Sequence, residues 1–124
     1  FSAVFDINCL VRVTGRSQRL PKESEFAIYR IIQAALDNVA THAQASQVWV
    51  DFDFGREQLY VIVHDDGVGF HPSVTMTTPG DHLGLIGMKE RAEGLGADLK
   101  VNSKPGKGTR IELMLPSPAY LGEL

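Results

Sequence analysis

One stretch of the sequence, residues 22–43, predicts a long amphipathic helix. It contains no glycine or proline, and its apolar side chains recur at positions 28, 31, 32, 35, 36 and 39. This spacing places them along one face of a helix. A helix of this kind buries its apolar face against another layer, so the remaining chain has to supply a sheet or more helices.

Segments with strand character surround this helix. Residues 9–14 are rich in Val and Leu, and residues 46–54 alternate apolar with polar side chains. Residues 58–65 form the next apolar segment, after a short turn. Residues 98–103 and 109–116 flank "KPGKG" and predict a β-hairpin.

A second helix is predicted over residues 84–97, entered through glycine and left through "GLGA". The order is therefore β, α, β, β, loop, α, β, β. The strands alternate in polarity and are not apolar throughout, which argues against a doubly wound parallel sheet. We expect a two-layer α/β sandwich, with a mixed, mostly antiparallel sheet covered on one face by helices.

Composition sets the broad class of protein. Of the 124 residues, 44% are apolar and 22% are charged, as in one soluble globular domain. The net charge of -3 argues against a general nucleic-acid-binding surface, which would be basic. No sequence run approaches the roughly 20 apolar residues that span a bilayer, and no signal peptide is visible.

Two further features concern the wider protein. Cys9 is the only cysteine, so an internal disulfide is excluded, and a reducing cytoplasm fits this composition. The chain begins at Phe1 and not at Met, which predicts a domain cut from a longer protein. We expect residues 1–8 to be the end of a linker, residues 9–116 to be the domain, and residues 117–124 to be a C-terminal tail.

The segment "DDGVGF", residues 65–70, has two interpretations. An Asp-Gly pair favours a hairpin turn, but residues 71–83 do not form a strand, and such a turn gives no role to Gly69. The alternative is a ligand cradle. Glycines separated by one residue let the backbone approach a ligand, and a carboxylate at a strand end accepts hydrogen bonds from an amine such as that of adenine.

Gly84 and Gly87 stand at the entrance to the second predicted helix. The first N–H groups of a helix and its positive dipole end suit a phosphate. A helix start with close packing explains the same glycines, and Lys89 and Arg91 are then ordinary solvated charges. The loop before this helix, residues 66–83, lacks any periodicity, and loops of that length are usually functional or mobile.

Ala34, Asn38 and His42 lie on one face of the long helix because they are four residues apart. The Asn38 side-chain oxygen is a reasonable Mg²⁺ ligand. A surface Asn, and a His favoured by the helix C-terminus, explain the same stripe without a ligand. The last signal is "GKGT", residues 106–109, which a flexible hairpin turn also explains.

In combination these segments resemble a known family. "IYRIIQAALDNVATHA", "DDGVGF", "HLGLIGMKERAEGLGA" and "GKGTRIEL" resemble, in this order, the N box, G1 box, G2 box and closing glycine-threonine motif of the ATP-binding domain of bacterial sensor histidine kinases. "GLIGMKERA" is most similar to the subfamily paired with LuxR-type helix-turn-helix response regulators. The resemblance covers about residues 9–116. It implies a Bergerat-type fold, with ATP between the long helix and a flexible lid of roughly residues 71–83.

The resemblance implies a role for each matching residue. Asp65 would bind the adenine amino group, Thr109 would support the adenine through its hydroxyl or a water, and Asn38 would coordinate Mg²⁺ bridging the phosphates. Gly67 and Gly69 would let the chain pass close to the nucleotide. The other residues implied to contact ATP are His42, near the phosphates or ribose, and the helix-entrance residues Gly84, Leu85, Gly87 and Met88.

Two positions depart from the family pattern. Ala34 stands where the subfamily commonly has Glu, and Thr41 stands where it commonly has Lys. These changes remove a candidate base and a phosphate-binding cation but leave the adenine pocket intact. A nucleotide-sensing pseudokinase is therefore the alternative to an active kinase. An ATP-hydrolysing clamp of the gyrase or Hsp90 kind is disfavoured, because those domains are larger and carry a Glu in the N box.

The resemblance also implies partners outside this chain. The phosphate acceptor of the family is a histidine on a separate dimeric helical domain, and the four histidines here, His42, His64, His71 and His82, do not lie in the acceptor motif. We expect a homodimeric parent kinase, a cognate response regulator with helix-turn-helix output, and no direct binding of nucleic acid by this domain. The domain is expected in the cytoplasm, whether or not its parent has a membrane anchor. Alone it should bind ATP with little turnover.

Overall fold

The computed structural model describes residues 7–69, 84–116 and 120–123. Two helices are present in these ranges: α1, Lys22–Asn38, which continues as a π-helical turn over Val39–Ala43, and α2, Leu85–Gly94. The strands are β1 Asn8–Gly15, β2 Gln18–Arg19, β3 Gln47–Phe54, β4 Gln58–Asp65, β5 Asp98–Ser103, β6 Thr109–Pro116 and β7 Gly122–Glu123.

Five strands form the main sheet in the order β1-β3-β4-β6-β5, and β2 pairs with β7 in a separate ribbon. Strand β1 is parallel to β3, and the other neighbouring strands of the main sheet are antiparallel. The two helices contact each other, and α2 also contacts β5. The prediction of a two-layer sandwich with a mixed, mostly antiparallel sheet is confirmed.

The core lies between the helices and one face of the sheet. Along β4 the side chains of Leu59, Val61 and Val63 are buried, while those between them remain half-buried. Strand side chains point alternately to opposite faces, so one face of β4 joins the core. On the helix, Ile28 and Ile31 are buried opposite it. Each such aliphatic side chain contributes roughly 1.5–3 kcal/mol when it leaves water.

The other face of the sheet carries a polar chain of contacts. Arg12 donates to both carboxylate oxygens of Asp51, at 2.7 and 2.8 Å. The Asp51 carboxylate also lies 3.3 Å from Nε2 of His64, whose ring stacks on Trp49 with a centroid distance of 4.8 Å. The hydrogen bond from Arg12 is the main reason that the pKa of Asp51 is lowered. These contacts join β1, β3 and β4 across their exposed face.

Two residues outside the expected domain limits of 9–116 also contact the core. Ile7, assigned to a linker, is buried in the core. Tyr120, assigned to a tail, packs against the core and donates a hydrogen bond to the Gly55 carbonyl at 2.9 Å. The short strands β2 and β7 were not predicted, because two residues are too few to show a periodicity. Among the described residues, no helix is long and apolar enough to cross a membrane.

Candidate functional site

Asp65 ends β4 on the side of the sheet that faces the helices. It is only 8% exposed, and its carboxylate accepts a hydrogen bond from the Gly67 N–H at 2.8 Å and another from the backbone of Thr109. Burial raises the pKa of Asp65, and the adjacent Asp66 charge adds to this, while the two backbone donors act against it. The result is a nearly buried carboxylate that two backbone groups hold in place.

Asp66 points away from this position, because successive residues of an extended chain face opposite ways. Its carboxylate accepts hydrogen bonds from the Ser46 hydroxyl at 2.7 Å and from the backbone N–H groups of Ser46 and Gln47, both at 3.0 Å. The Ser46 hydroxyl contributes most to the lowered pKa of Asp66. Asp66 therefore fastens the loop to the start of β3.

The π-helical turn at the end of α1 contacts the same loop. The Ala43 carbonyl accepts a hydrogen bond from the Val68 N–H at 2.7 Å. A Cβ atom placed on Gly67 would overlap that carbonyl, so only glycine allows this approach. Turns of this type are often found at functional sites. Here the turn contacts the loop after β4. It thus brings the motif at the end of α1 next to the "DDGVGF" motif, as a site shared by both motifs requires.

The hairpin between β5 and β6 holds the other side of the loop. The Gly106 N–H donates to the Val68 carbonyl at 2.6 Å. Gly69 has a φ of +66°, and a Cβ atom there would overlap the Lys104 carbonyl; Gly108 has a φ of +75°, and its Cβ would overlap the Asp65 carbonyl. These glycines therefore permit close packing of backbone on backbone. The resemblance implied another use for Gly67 and Gly69, a close approach to nucleotide.

An open groove of about 430 Å³ lies beside Asp65. Its volume is in the range of ligand-binding clefts. Its polar side chains include the candidate site residues Asp65, Ser103 and Thr109, the cations Lys104, Lys107 and Arg110, and also His64 and Asn102. The cations give the groove a positively charged border, and the buried carboxylate offers a neutral donor group a fixed acceptor.

Ser103 is a site residue that the sequence analysis missed. It is 6% exposed, and its hydroxyl lies 3.1 Å from the Gly108 carbonyl and 2.8 Å from the Thr109 hydroxyl. Strand pairing places Ser103 directly opposite Thr109. Counting outward from the predicted hairpin "KPGKG" would have paired these two residues, so the signal was present in the sequence.

The entrance to α2 also carries glycines. Gly84 has a φ of +67°, a backbone conformation that favours glycine, and its carbonyl accepts the Met88 N–H at 3.0 Å. A Cβ on Gly87 would lie 3.4 Å from the Arg91 guanidinium. The side chains of Leu85 and Met88 are fully buried in the core. Both residues were grouped with the ATP-binding residues, and since their side chains lie in the core, a contact of either one with ATP stays a prediction.

The helix residues singled out in the sequence lie at the end of α1 and in the π-helical turn. Asn38 precedes the turn and is half-buried, and His42, within the turn, is exposed. The Thr41 hydroxyl donates to the Asp37 carbonyl at 2.7 Å. Ala34 is half-buried against the core. The structure thus joins the end of α1 to the loop at Ala43, while the lid expected over residues 71–83 lies outside the described residues.

A metal ion would find few ligands in this part of the chain. Within the ranges that the structure describes, no group of three or more His, Cys, Asp or Glu side chains could hold a metal ion. Mg²⁺ usually keeps several waters and binds through one or two protein groups together with substrate phosphates. Mg²⁺ binding through Asn38 therefore stays a prediction.

Comparison with protein families gives a match over most of the chain. Residues 23–119 match the family model described as histidine kinase-, DNA gyrase B-, and HSP90-like ATPase. The match contains the end of α1, the loop after β4, the entrance to α2 and the β5–β6 hairpin. All four sequence motifs are thus inside the matched region.

Similar proteins include two named histidine kinases. The chain is 37% identical over 102 residues to the signal transduction histidine-protein kinase/phosphatase DegS of Brevibacillus brevis, covering 82% of this chain and 26% of that protein. It is 43% identical over 96 residues to the sensor histidine kinase YxjM of Bacillus subtilis, covering 77% and 22%. The chain thus spans about a quarter of the length of these relatives.

The solved structures give the same comparison. The histidine kinase domain of the blue-light activated histidine kinase from Erythrobacter litoralis EL346 superposes with a TM-score of 0.71 at 25% identity. The superposition covers 94% of this chain and 55% of that one. The arrangement of helices and sheet described above is therefore shared with a known kinase domain.

Proposed function

Because this chain belongs to the histidine kinase-, DNA gyrase B- and HSP90-like ATPase family, we propose that it is the ATP-binding catalytic domain of a sensor histidine kinase. In this proposal it presents the γ-phosphate of ATP to a histidine on a separate dimerisation domain. The observation that carries the proposal is the Asp65 carboxylate, nearly buried beside a groove and fixed by two backbone donors.

Adenine is the group that fits Asp65. The carboxylate accepts hydrogen bonds only, and the exocyclic amine of adenine donates them. Gly67 and Thr109 already occupy acceptor positions of this carboxylate, so its orientation is set before any ligand binds. Val101, Ser103 and Thr109 line the groove beside it. An apolar strand side chain next to two hydroxyls suits a flat ring with one polar edge.

The phosphates are assigned to the other end of the site. We assign them to the entrance of α2, where Gly84 and Gly87 stand at the positive end of the helix dipole. Asn38 and His42 would approach the phosphates from the end of α1, with Mg²⁺ held by Asn38, the phosphates and water. This cation would neutralise charge on the phosphates during transfer.

The relatives support a kinase and not a pseudokinase. They are named as histidine kinases, and the pseudokinase interpretation of Ala34 and Thr41 receives no support from the comparisons. The Thr41 hydroxyl donates a hydrogen bond to the Asp37 carbonyl, one helical turn earlier. The proposed parent is a homodimer that passes its phosphate to a response regulator with helix-turn-helix output, and this domain works in the cytoplasm.

Calorimetric titration of Mg-ATP into the folded domain tests nucleotide binding. We expect saturable binding, and no heat at millimolar nucleotide would refute the proposal. Transfer is tested by joining the domain to its native upstream helical segment and following labelled γ-phosphate. Label should appear on a histidine of the joined protein and should be absent from the domain alone.

A further inference from the structure

The buried hydroxyl of Ser103 bears on how the proposed ATP site recognises its base. Among the contacts of the Ser103 hydroxyl are the Gly108 carbonyl at 3.1 Å and the Thr109 hydroxyl at 2.8 Å. A carbonyl oxygen only accepts, whereas a hydroxyl has one hydrogen to donate. Both contacts are hydrogen bonds only if Ser103 donates to Gly108 and accepts from Thr109. In this assignment the single hydroxyl hydrogen of Thr109 is donated to Ser103 and not to a ligand.

Thr109 then presents only lone pairs to the groove that it shares with Asp65. The Asp65 carboxylate likewise accepts, and the backbone N–H groups that it binds are turned toward it and away from a ligand. The edge of the site therefore consists of two acceptors side by side. Such an edge matches an amino group, which has two hydrogens, and repels a carbonyl oxygen in the same place.

We propose that Ser103 is a positioning residue for base selection, which acts by holding the Thr109 hydroxyl as an acceptor so that the site takes 6-aminopurine nucleotides and rejects 6-oxopurine nucleotides. This inference rests on the proposed function, since it requires the base to lie at Asp65. The energetic reason is that a site with unpaired polar groups discriminates far more strongly than an apolar pocket does. Without Ser103, the Thr109 hydroxyl can rotate and donate to an oxo group.

The test compares ATP with inosine triphosphate, which carries an oxo group in place of the amine. Dissociation constants for both are measured by calorimetry for the wild type, Ser103→Ala, Thr109→Val and the double variant. We expect each single variant to reduce the preference for ATP by about tenfold, the scale of one polar contact. The double variant should lose no more of the preference for ATP than Thr109→Val alone, because Ser103 acts through Thr109. Ser103→Thr, which keeps a hydroxyl, should restore the preference.

An unchanged preference in Thr109→Val overturns the inference, and this variant carries the test even if Ser103→Ala folds poorly. The inference is also overturned if Ser103→Ala reduces the preference for ATP equally in the wild type and in Thr109→Val. Ser103 would then act without the Thr109 hydroxyl. Failure of the proposed function gives a different result. In that case the wild type binds neither nucleotide, or Asp65→Asn leaves ATP binding unchanged.

Discussion

At the scale of single residues, two adjacent aspartates have different tasks. Asp65 is nearly buried and held by backbone donors, while Asp66 is exposed and bonded to the start of β3. The sequence "DD" does not distinguish them, but their position at a strand end does. Alternation along the strand sends one carboxylate to the helix side and the other to the opposite side.

Replacing Asp65 with Asn should weaken ATP binding by roughly 1–3 kcal/mol, or about 5- to 150-fold in Kd. The amide has one acceptor oxygen where the carboxylate has two, so a buried donor loses its partner. Calorimetric titration measures the change. Asp98→Asn removes the same charge at the exposed far end of β5 and should leave Kd unchanged. Equal affinities for Asp65→Asn and the wild type would show that adenine lies elsewhere.

ATP affinity should also depend on pH through Asp65. Burial raises its pKa, so this carboxylate is protonated at a higher pH than an ordinary Asp. Protonation removes an acceptor, and we therefore expect affinity to fall as the pH decreases through the raised pKa and to recover above it. Asp65→Asn lacks this titration and reports only that of the nucleotide. Parallel profiles for the two proteins would contradict the assignment.

At the scale of elements, the loop after β4 is held between the π-helical turn and the β5–β6 hairpin by backbone contacts. Its two neighbours contribute carbonyl groups, Ala43 on one side and Lys104 on the other. Glycine is required there because no Cβ fits between the backbones. The glycines of the "DDGVGF" motif are therefore needed for backbone packing, whether or not a ligand is bound.

Substitutions at two glycines of the β5–β6 hairpin test whether the close backbone contact requires glycine. Both have positive φ, but a Cβ on Gly106 meets open space, whereas a Cβ on Gly108 overlaps the Asp65 carbonyl. Gly106→Ala should cost only the strain of its backbone, roughly 1–2 kcal/mol. Gly108→Ala should cost clearly more and also weaken ATP binding. Urea unfolding and titration measure both effects, and equal costs would show that the close contact is unimportant.

The Asp66 contacts predict a dependence of stability on pH. The pKa of Asp66 is lower in the folded protein than in the unfolded chain, mainly through the Ser46 hydroxyl. Its contribution is therefore present above the unfolded pKa of about 3.9 and is lost as the pH falls through the folded pKa. Asp66→Asn should lower the free energy of unfolding near pH 7 by roughly 0.5–1.5 kcal/mol.

The same variant should show a flatter loss of stability than the wild type as the pH falls below about 4. Urea unfolding at several pH values provides the comparison, with Asp98→Asn as the control for loss of one charge. If the two aspartate variants behave alike across this range, the contacts to Ser46 and Gln47 do not hold the loop.

At the scale of the whole molecule, nucleotide binding and folding are linked. A ligand that binds only the folded state, at 100 times its Kd, adds about 2.7 kcal/mol to the free energy of unfolding. Saturating Mg-ATP should therefore raise the Tm of the wild type, and inosine triphosphate at the same concentration should raise it less. Thermal unfolding measured at several ATP concentrations checks this. A Tm that does not change with ATP concentration would mean that the folded domain has no ATP-binding site.

The extent of sequence-based prediction differed between the fold and the site. The layers and the order of the main elements followed from helical periodicity over residues 22–43, alternation over residues 46–54 and the apolar segment 58–65. The π-helical turn was not predicted, and its contact with the loop joins Ala43 to Val68, which lies 25 positions further along the chain. Ser103 was missed because its role depends on strand register. The burial of Leu85 and Met88 agrees with their apolar character and helical spacing in the sequence.

The sequence by itself determined the two helices and the five strands of the main sheet, and it placed two carboxylates and two glycines at one strand end. These features depend on neighbours a few residues apart. Only the tertiary structure decided that Asp65 lies beside the groove while Asp66 fastens the loop to the start of β3, and that the Ala43 carbonyl contacts this loop. The physical reason is that hydrogen bonds and close backbone contacts between distant segments form only after the sheet has set its register and the helices have packed on it.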